Sequence, residues 1–208
     1  MAISNLYPNL DSVNENMASI QPKPLVVGIA GGSASGKTTL SNRLAETLTD
    51  LKVRVFHMDQ YFLKIKPRMV APITRLDYED HNHPNSFDLA GLILDLDAAL
   101  ASGDGLQVII IEGLLTLQHD PLRERLDLKL FVDAQADERI VRRIKRNLAR
   151  GMNYDDIANF YLDTVRYRHQ EFVESSRWHA DLIMNGSDFS EQGLQLVAEW
   201  IRTHAPNP

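Results

Sequence analysis

The chain has 208 residues, 44% of them hydrophobic and 24% charged, which is enough for one domain with a core of its own. Its net charge of −6, from 22 basic and 28 acidic side chains, argues against a general nucleic-acid or membrane-surface binder, since both polyanions repel such a chain overall. It contains no cysteine, which excludes disulfides, thiolate zinc sites and a cysteine nucleophile and suits a cytoplasmic location.

Residues 1–24 are punctuated by asparagines and by Pro8, Pro22 and Pro24, with no apolar period and no basic-then-apolar leader pattern. They read as a flexible arm, or as an arm packed on a partner subunit. Residues 25–208 read as a single domain, and no apolar run in it approaches the length of about 18 residues that a membrane span requires.

Leu25 to Ala30 is a short apolar run of the kind that makes a buried parallel strand. Gly31-Gly32-Ser33-Ala34-Ser35-Gly36-Lys37-Thr38, followed by Thr39, fits the phosphate-binding pattern G-x-x-x-x-G-K-[ST]. After it, Leu40, Leu44 and Leu48 share one helical face. Strand, glycine-rich turn and helix together let successive N–H groups face a phosphate. Lys37 adds charge at the outer phosphates, and the Thr38 hydroxyl is placed to ligate Mg²⁺.

Val53 to Phe56 predicts a second strand, ending at His57-Met58-Asp59. Asp59 stands beyond a strand's carboxyl end, where ligands bind in open α/β sheets, and two roles are open to it: chemistry, or capping the next turn. Residues 60–86 read as an irregular polar loop. Its acids and histidines match no metal-ligand spacing and read as solvated charges.

Asp88 to Leu100 predicts a helix with Asp88 as N-cap and Leu89, Leu92, Leu96 and Leu100 on one face. Leu106 to Ile111 predicts a strand buried on both faces, closed by Glu112. That acid either helps hold Mg²⁺ or meets solvent at a strand end; the phosphate loop favours the metal role. Leu128 to Val132 predicts another strand.

The helix from about Ala136 to Arg150 carries Arg139, Arg142, Arg143, Arg146 and Arg150 at steps that stripe one face. Such a stripe is either a solvated face or a set of forks for phosphoryl oxygens. Gly151-Met152-Asn153 breaks the helix and is placed to hinge a lid. Asp155 to Glu174 predicts a helix and Ala180 to Met184 a short strand. Asp188 and Glu191 form a capping box for a last helix burying Leu194, Val197 and Ile201. Strands alternating with helices imply an α/β fold, a mostly parallel sheet covered on both faces.

With these pieces in line, residues 25–200 resemble the uridine kinase and phosphoribulokinase-like group of P-loop kinases. The resemblance is carried by Gly31 to Thr39, Met58-Asp59-Gln60-Tyr61-Phe62, Asn82-His83-Pro84-Asn85-Ser86-Phe87-Asp88, Ile111-Glu112-Gly113-Leu114-Leu115, Leu130 to Asp133, Arg139 to Gly151, and His179 to Ile183. It implies a three-layer P-loop fold with an arginine-bearing lid, and transfer of the γ-phosphate of ATP to a hydroxyl of a nucleoside such as uridine or cytidine, with Mg²⁺.

The resemblance also implies roles. Asp59 matches the aspartate that accepts the proton of the attacking hydroxyl. Glu112 and Thr38 match the Mg²⁺ site, and Gly31 through Thr39 the nucleotide loop. Lys37, Arg143, Arg146 and Arg150 match phosphate-contacting cations, with Lys37, Arg143 and Arg146 counted among the catalytic groups. Asp59, Tyr61, Asn82, His83 and Arg143 fall on the acceptor side. The partner expected is a small molecule, not nucleic acid or a membrane, and a homo-oligomer is compatible with the sequence.

The chain departs from uridine kinases in four places. Their pyrimidine-holding β-hairpin has no counterpart between Leu100 and Val108. Asn82 stands for an aspartate that meets the ribose, with Asp77 and Asp80 nearby. Met152 replaces a lid arginine, and Phe160 a nucleoside-associated glutamine. A kinase for another riboside, such as nicotinamide riboside, or for a sugar or sugar phosphate, is therefore a second reading, and a non-catalytic ATP sensor a third. A GTPase is disfavoured because no N/T-K-x-D motif is present and Asp88-Leu89-Ala90-Gly91 opens a helix.

Overall fold

The computed structural model describes residues 23–207, so the arm expected over residues 1–24 falls almost wholly outside the described residues. Five parallel strands form the central sheet: β1 (Leu25–Gly31), β2 (Val53–His57), β5 (Val108–Glu112), β6 (Leu128–Asp133) and β7 (Leu182–Asn185), in the order β2-β5-β1-β6-β7. β1 is the central strand, pairing with β5 on one side and β6 on the other. Every residue of β1 is buried, as expected of a strand with helices over both faces.

The two-residue period of the strands sorts the core into two layers. Val26, Ala30, Ile109, Ile111 and Phe131 face one way and pack with Leu92 and Leu96 of α2 (Leu89–Ala101). Val27, Ile29, Ile110 and Leu130 face the other way, against Leu40 and Leu44 of α1 (Lys37–Thr47) and against Val197 and Ile201 of α6 (Glu191–His204). The result is a three-layer α/β/α fold, as the alternation of elements predicts. Among the described residues no helix is long and apolar enough to cross a membrane.

Two local expectations need correction. The first concerns residues 60–86, which are not wholly irregular. β3 (Arg68–Val70) and β4 (Asp77–Glu79) form an antiparallel hairpin with Met69 opposite Tyr78. The second concerns α6, whose N-cap is Ser190, its hydroxyl accepting from the Gly193 N–H, rather than Asp188. The Asn185 side chain explains the delay: it accepts from the N–H groups of Ser187 and Asp188 and holds that stretch as a turn.

Asp88 caps α2 as expected. A short helix, α3 (Asp120–Arg123), precedes β6, and α4 (Ala136–Leu148) follows it. Gly151 then takes φ +82, which ends that helix, and the Asn153 side chain caps α5 (Tyr154–Phe160). From α5 the chain stays helical through two π-helical turns, Tyr161–Val165 and His169–Val173.

Candidate active site

The carboxyl ends of the parallel strands converge on one edge, and the loops leaving them build the site. The loop after β1 needs its glycines for two reasons. A Cβ on Gly31 would sit 2.5 Å from the Val132 carbonyl oxygen. Gly36 takes φ +104, in the left-handed region, and a Cβ there would lie 2.8 Å from the Phe189 ring. No side chain caps the N-terminus of α1. Its first N–H groups, with the positive end of the helix dipole, are therefore open to an anion. A cleft of about 370 Å³ lies over this loop, lined among others by Ala34, Gly36, Lys37, Thr38, Arg142 and Arg146.

Glu112, the last residue of β5, does not meet solvent; it is 4% exposed. Its Oε1 accepts from the Thr38 hydroxyl at 3.1 Å and from His57 Nδ1 at 2.9 Å. Its Oε2 is buried without a partner among the described residues. A hydroxyl and a carboxylate oxygen are hard donors, and the unpaired Oε2 beside Thr38 fits the outer shell of a divalent cation such as Mg²⁺.

Asp59 is exposed in a 3-10 turn, Met58–Tyr61, that leaves β2 and is pinned by the buried Met58. It faces Arg146 closely enough to favour that guanidinium's charge. Burial, and then Arg150, act the other way and leave the Arg146 pKa lowered. Burial, followed by Arg146, also lowers the pKa of Arg143. Arg143 Nη1 donates to the Ser33 hydroxyl at 2.7 Å. Clustered cations held at such a cost are what an anionic ligand would relieve.

The arginine stripe of α4 divides into separate tasks. Arg139 is buried and donates from Nε to the Ala134 carbonyl at 3.0 Å. Arg142 donates to the carbonyls of Gly186 at 2.7 Å and Ser187 at 3.1 Å, which builds the far wall of the cleft with Phe189. Arg143 meets the loop through Ser33, Arg146 lines the cleft and feels the charge of Asp59, and Arg139 Nη1 would lie 2.5 Å from a Cβ on Gly32, while Arg150 follows the helix end. Ser35 is buried, Lys37 is half-buried, and Thr38 and Thr39 are exposed on the first turn of α1.

On the acceptor side, the Tyr61 hydroxyl donates to Asp95 of α2 at 2.7 Å. Burial and then this bond push its pKa up to about 12. His83 Nδ1 accepts from the Asn85 N–H at 3.0 Å and its ring packs edge-on against Phe172. Asn82 is buried. Asp80 is wholly buried and already engaged. One oxygen accepts from the N–H groups of Asn82 and His83, and the other from Arg168 Nε at 2.6 Å. Asp77 pairs with Arg68. Neither acid therefore substitutes for the one absent at position 82.

The β3–β4 hairpin is fastened to the helical stretch after α5. Asp163, buried in the first π-helical turn, accepts through Oδ2 from the Thr74 hydroxyl at 2.7 Å and the Tyr78 hydroxyl at 2.8 Å. The rings of Tyr78 and His81 stand edge-on to Phe160 at 5.7 and 6.0 Å, and the Arg143 guanidinium lies over the same ring at 5.9 Å. Side-chain contacts thus run from the hairpin through Phe160 and Arg143 to Ser33 of the loop. Sequence reasoning missed His57, Asp163 and the hairpin. For His57 a signal existed, because it ends the strand beside the one that Glu112 closes.

Comparison with known proteins gives the family and the fold. The model of the phosphoribulokinase / uridine kinase family matches residues 95–189. The uridine kinase of Deinococcus deserti is 34% identical over 203 aligned residues, which cover 87% of this chain and 97% of that protein. The uridine kinase of Bacillus licheniformis is 32% identical, covering 87% of this chain and 95% of its own length. Among solved structures, a candidate fructose transport system kinase from Silicibacter sp. TM1040 superposes with a TM-score of 0.61 at 23% identity, over 83% of this chain and 95% of that one. A possible uridine kinase from Bacillus stearothermophilus gives 0.53 at 19% identity, with the same coverages. At these identities the two structures share the fold.

Proposed function

We propose, since the chain belongs to the phosphoribulokinase / uridine kinase family and is an ATP-dependent phosphotransferase, that it moves the γ-phosphate of ATP to a hydroxyl of a nucleoside such as uridine or cytidine. The observation that carries the nucleoside is the likeness to proteins named uridine kinase along nearly their whole length. The charge of Asp59 acting on Arg146, which lines the cleft over the phosphate loop, supports the chemistry.

In this reading the N–H groups of the loop and of α1 cradle the phosphates, with Lys37, Arg143 and Arg146 offsetting charge on the transferring oxygens. The acceptor hydroxyl attacks the γ-phosphorus, its proton passes to an Asp59 oxygen, and the bond to the leaving ADP oxygen breaks. Thr38 and Glu112 would hold Mg²⁺, which when bound would supply positive charge against the nucleotide's phosphates. The residues mostly position groups and exclude water, as phosphoryl transfer requires.

A second acceptor class has an observation of its own. α2 ends at Ala101 and β5 begins at Val108, so only residues 102–107 occupy the place where uridine kinases carry the pyrimidine-holding hairpin. A hairpin rises instead from residues 68–79, and the nearby Asp77 and Asp80 are already paired with Arg68 and Arg168. These features favour another riboside, a sugar or a sugar phosphate. Incubation with γ-labelled ATP and a panel of nucleosides, ribosides and sugars, followed by identification of the labelled product, decides between the classes. Labelled UMP or CMP supports the first; label on none of the panel overturns both.

A further inference from the structure

We infer that His57 is a positioning residue for the cation site: it fixes the Glu112 carboxylate so that one oxygen is tied up and the other is presented to the metal shell. The inference rests on the reading of Thr38 and Glu112 as that site. β2 and β5 are adjacent parallel strands, and their pairing sets His57 opposite Glu112 at their shared carboxyl end. Register alone therefore brings the imidazole to the acid.

Both hydrogen bonds to Glu112 fall on one oxygen. Oε1 accepts from His57 Nδ1 at 2.9 Å and from Thr38 at 3.1 Å, while the buried Oε2 accepts from nothing among the described residues. A carboxylate held by a single donor still rotates about its last torsion. Two donors on one oxygen, one from the end of β2 and one from the first turn of α1, fix the plane of the group. Because a carboxylate oxygen accepts, Nδ1 carries the proton in this bond. An acceptor left bare in a buried place is costly unless a partner arrives. Partners of this kind behind a metal site are worth about 10- to 100-fold in metal affinity.

The test uses the full chain with ADP and Mn²⁺, the free Mn²⁺ being read by electron paramagnetic resonance. ADP binding in EDTA is measured separately by calorimetry. His57→Leu removes the donor. His57→Asn returns an N–H the same number of bonds from the backbone as Nδ1. The expected result is Mn²⁺ binding weakened about 10- to 100-fold in His57→Leu, metal-free ADP binding within about twofold of the parent, and recovery of most of the metal affinity in His57→Asn. If His57→Leu does not fold, His57→Gln takes its place, since its amide reaches one bond too far to restore the contact.

Glu112→Gln separates the two layers of the argument. Weakened Mn²⁺ binding in Glu112→Gln but parent-like binding in His57→Leu overturns the role of His57 alone. Parent-like binding in Glu112→Gln overturns the cation site and this inference with it. Loss in His57→Leu that His57→Asn does not recover also overturns the hydrogen-bond role.

Discussion

Arg168 Nε lies 2.6 Å from Asp80 Oδ2, joining the helical stretch after α5 to the loop before α2 through an aspartate with no solvent exposure. Removing one partner of a buried pair leaves an uncompensated charge, which costs about 3–5 kcal/mol. Arg168→Leu should therefore lower stability by roughly that amount in urea denaturation. Asp80→Asn keeps one acceptor for the Asn82 and His83 N–H groups and should cost less. Equal losses in the two variants would show that the charge pair is not what matters there.

Asp59→Asn should keep the turn Met58–Tyr61, because Met58 anchors it. Removing a general base typically costs about 10²–10⁴ in rate. The expected outcome is a fall of that order in kcat, with the KM for ATP within a few-fold of the parent, in an assay coupled to ADP release. Parent-like turnover would remove Asp59 as the proton acceptor.

Gly36→Ala forces a Cβ onto a residue at φ +104 and to within 2.8 Å of the Phe189 ring. Strain at such a position costs about 1–3 kcal/mol. We expect a lower melting temperature and the loss of the upward shift that ATP gives the parent. Adding Phe189→Ala relieves the contact but not the backbone angle, so recovery should be partial. Full recovery would mean that the ring alone sets the requirement for glycine.

His169 lies against the phosphate loop, where a Cβ on Gly32 would sit 3.0 Å from its ring. Burial, and next the Arg139 guanidinium, hold its pKa down at about 4, against 6.5 for an ordinary histidine. Between those values the unfolded chain binds the proton that the folded chain refuses, so stability is present above pH 6.5 and is lost as the pH falls toward 4. The loss is on the order of 3 kcal/mol. His169→Gln should flatten the stability curve in that window. His81 and His119, also lowered by burial, supply a background slope that the variant retains. Identical slopes in parent and variant would remove His169 as the source.

The elements that were legible in the sequence depend on short-range information. β1 is an apolar run, β5 is apolar up to its closing Glu112, β6 is apolar but for Lys129 and its closing Asp133, and α2 has both its leucine stripe and its Asp88 cap. The hairpin was not legible because each strand is three residues long, beside Pro67 and Pro72, and because Thr74 and Tyr78 are held by a partner 89 and 85 residues away. The arginines of α4 were visible as a stripe. Their separate tasks were not, since what Arg139, Arg142 and Arg143 each touch is set by the ends of β1, β6 and β7. The same limit hid the fate of Asp80: proximity in sequence to Asn82 suggested a spare acid, whereas Arg168 already engages it.

The fastening of the hairpin to Asp163 links it, through Phe160, to the arginine that meets the phosphate loop. The helical stretch that follows Arg143 carries both Phe160 and Asp163, and through Asp163 it carries Tyr78 and Thr74. A donor and an acceptor bound to one protein close a thermodynamic square. Whatever factor one contributes to the affinity of the other is returned unchanged in the opposite direction. An order of addition in this enzyme is then a kinetic preference laid over a symmetric equilibrium.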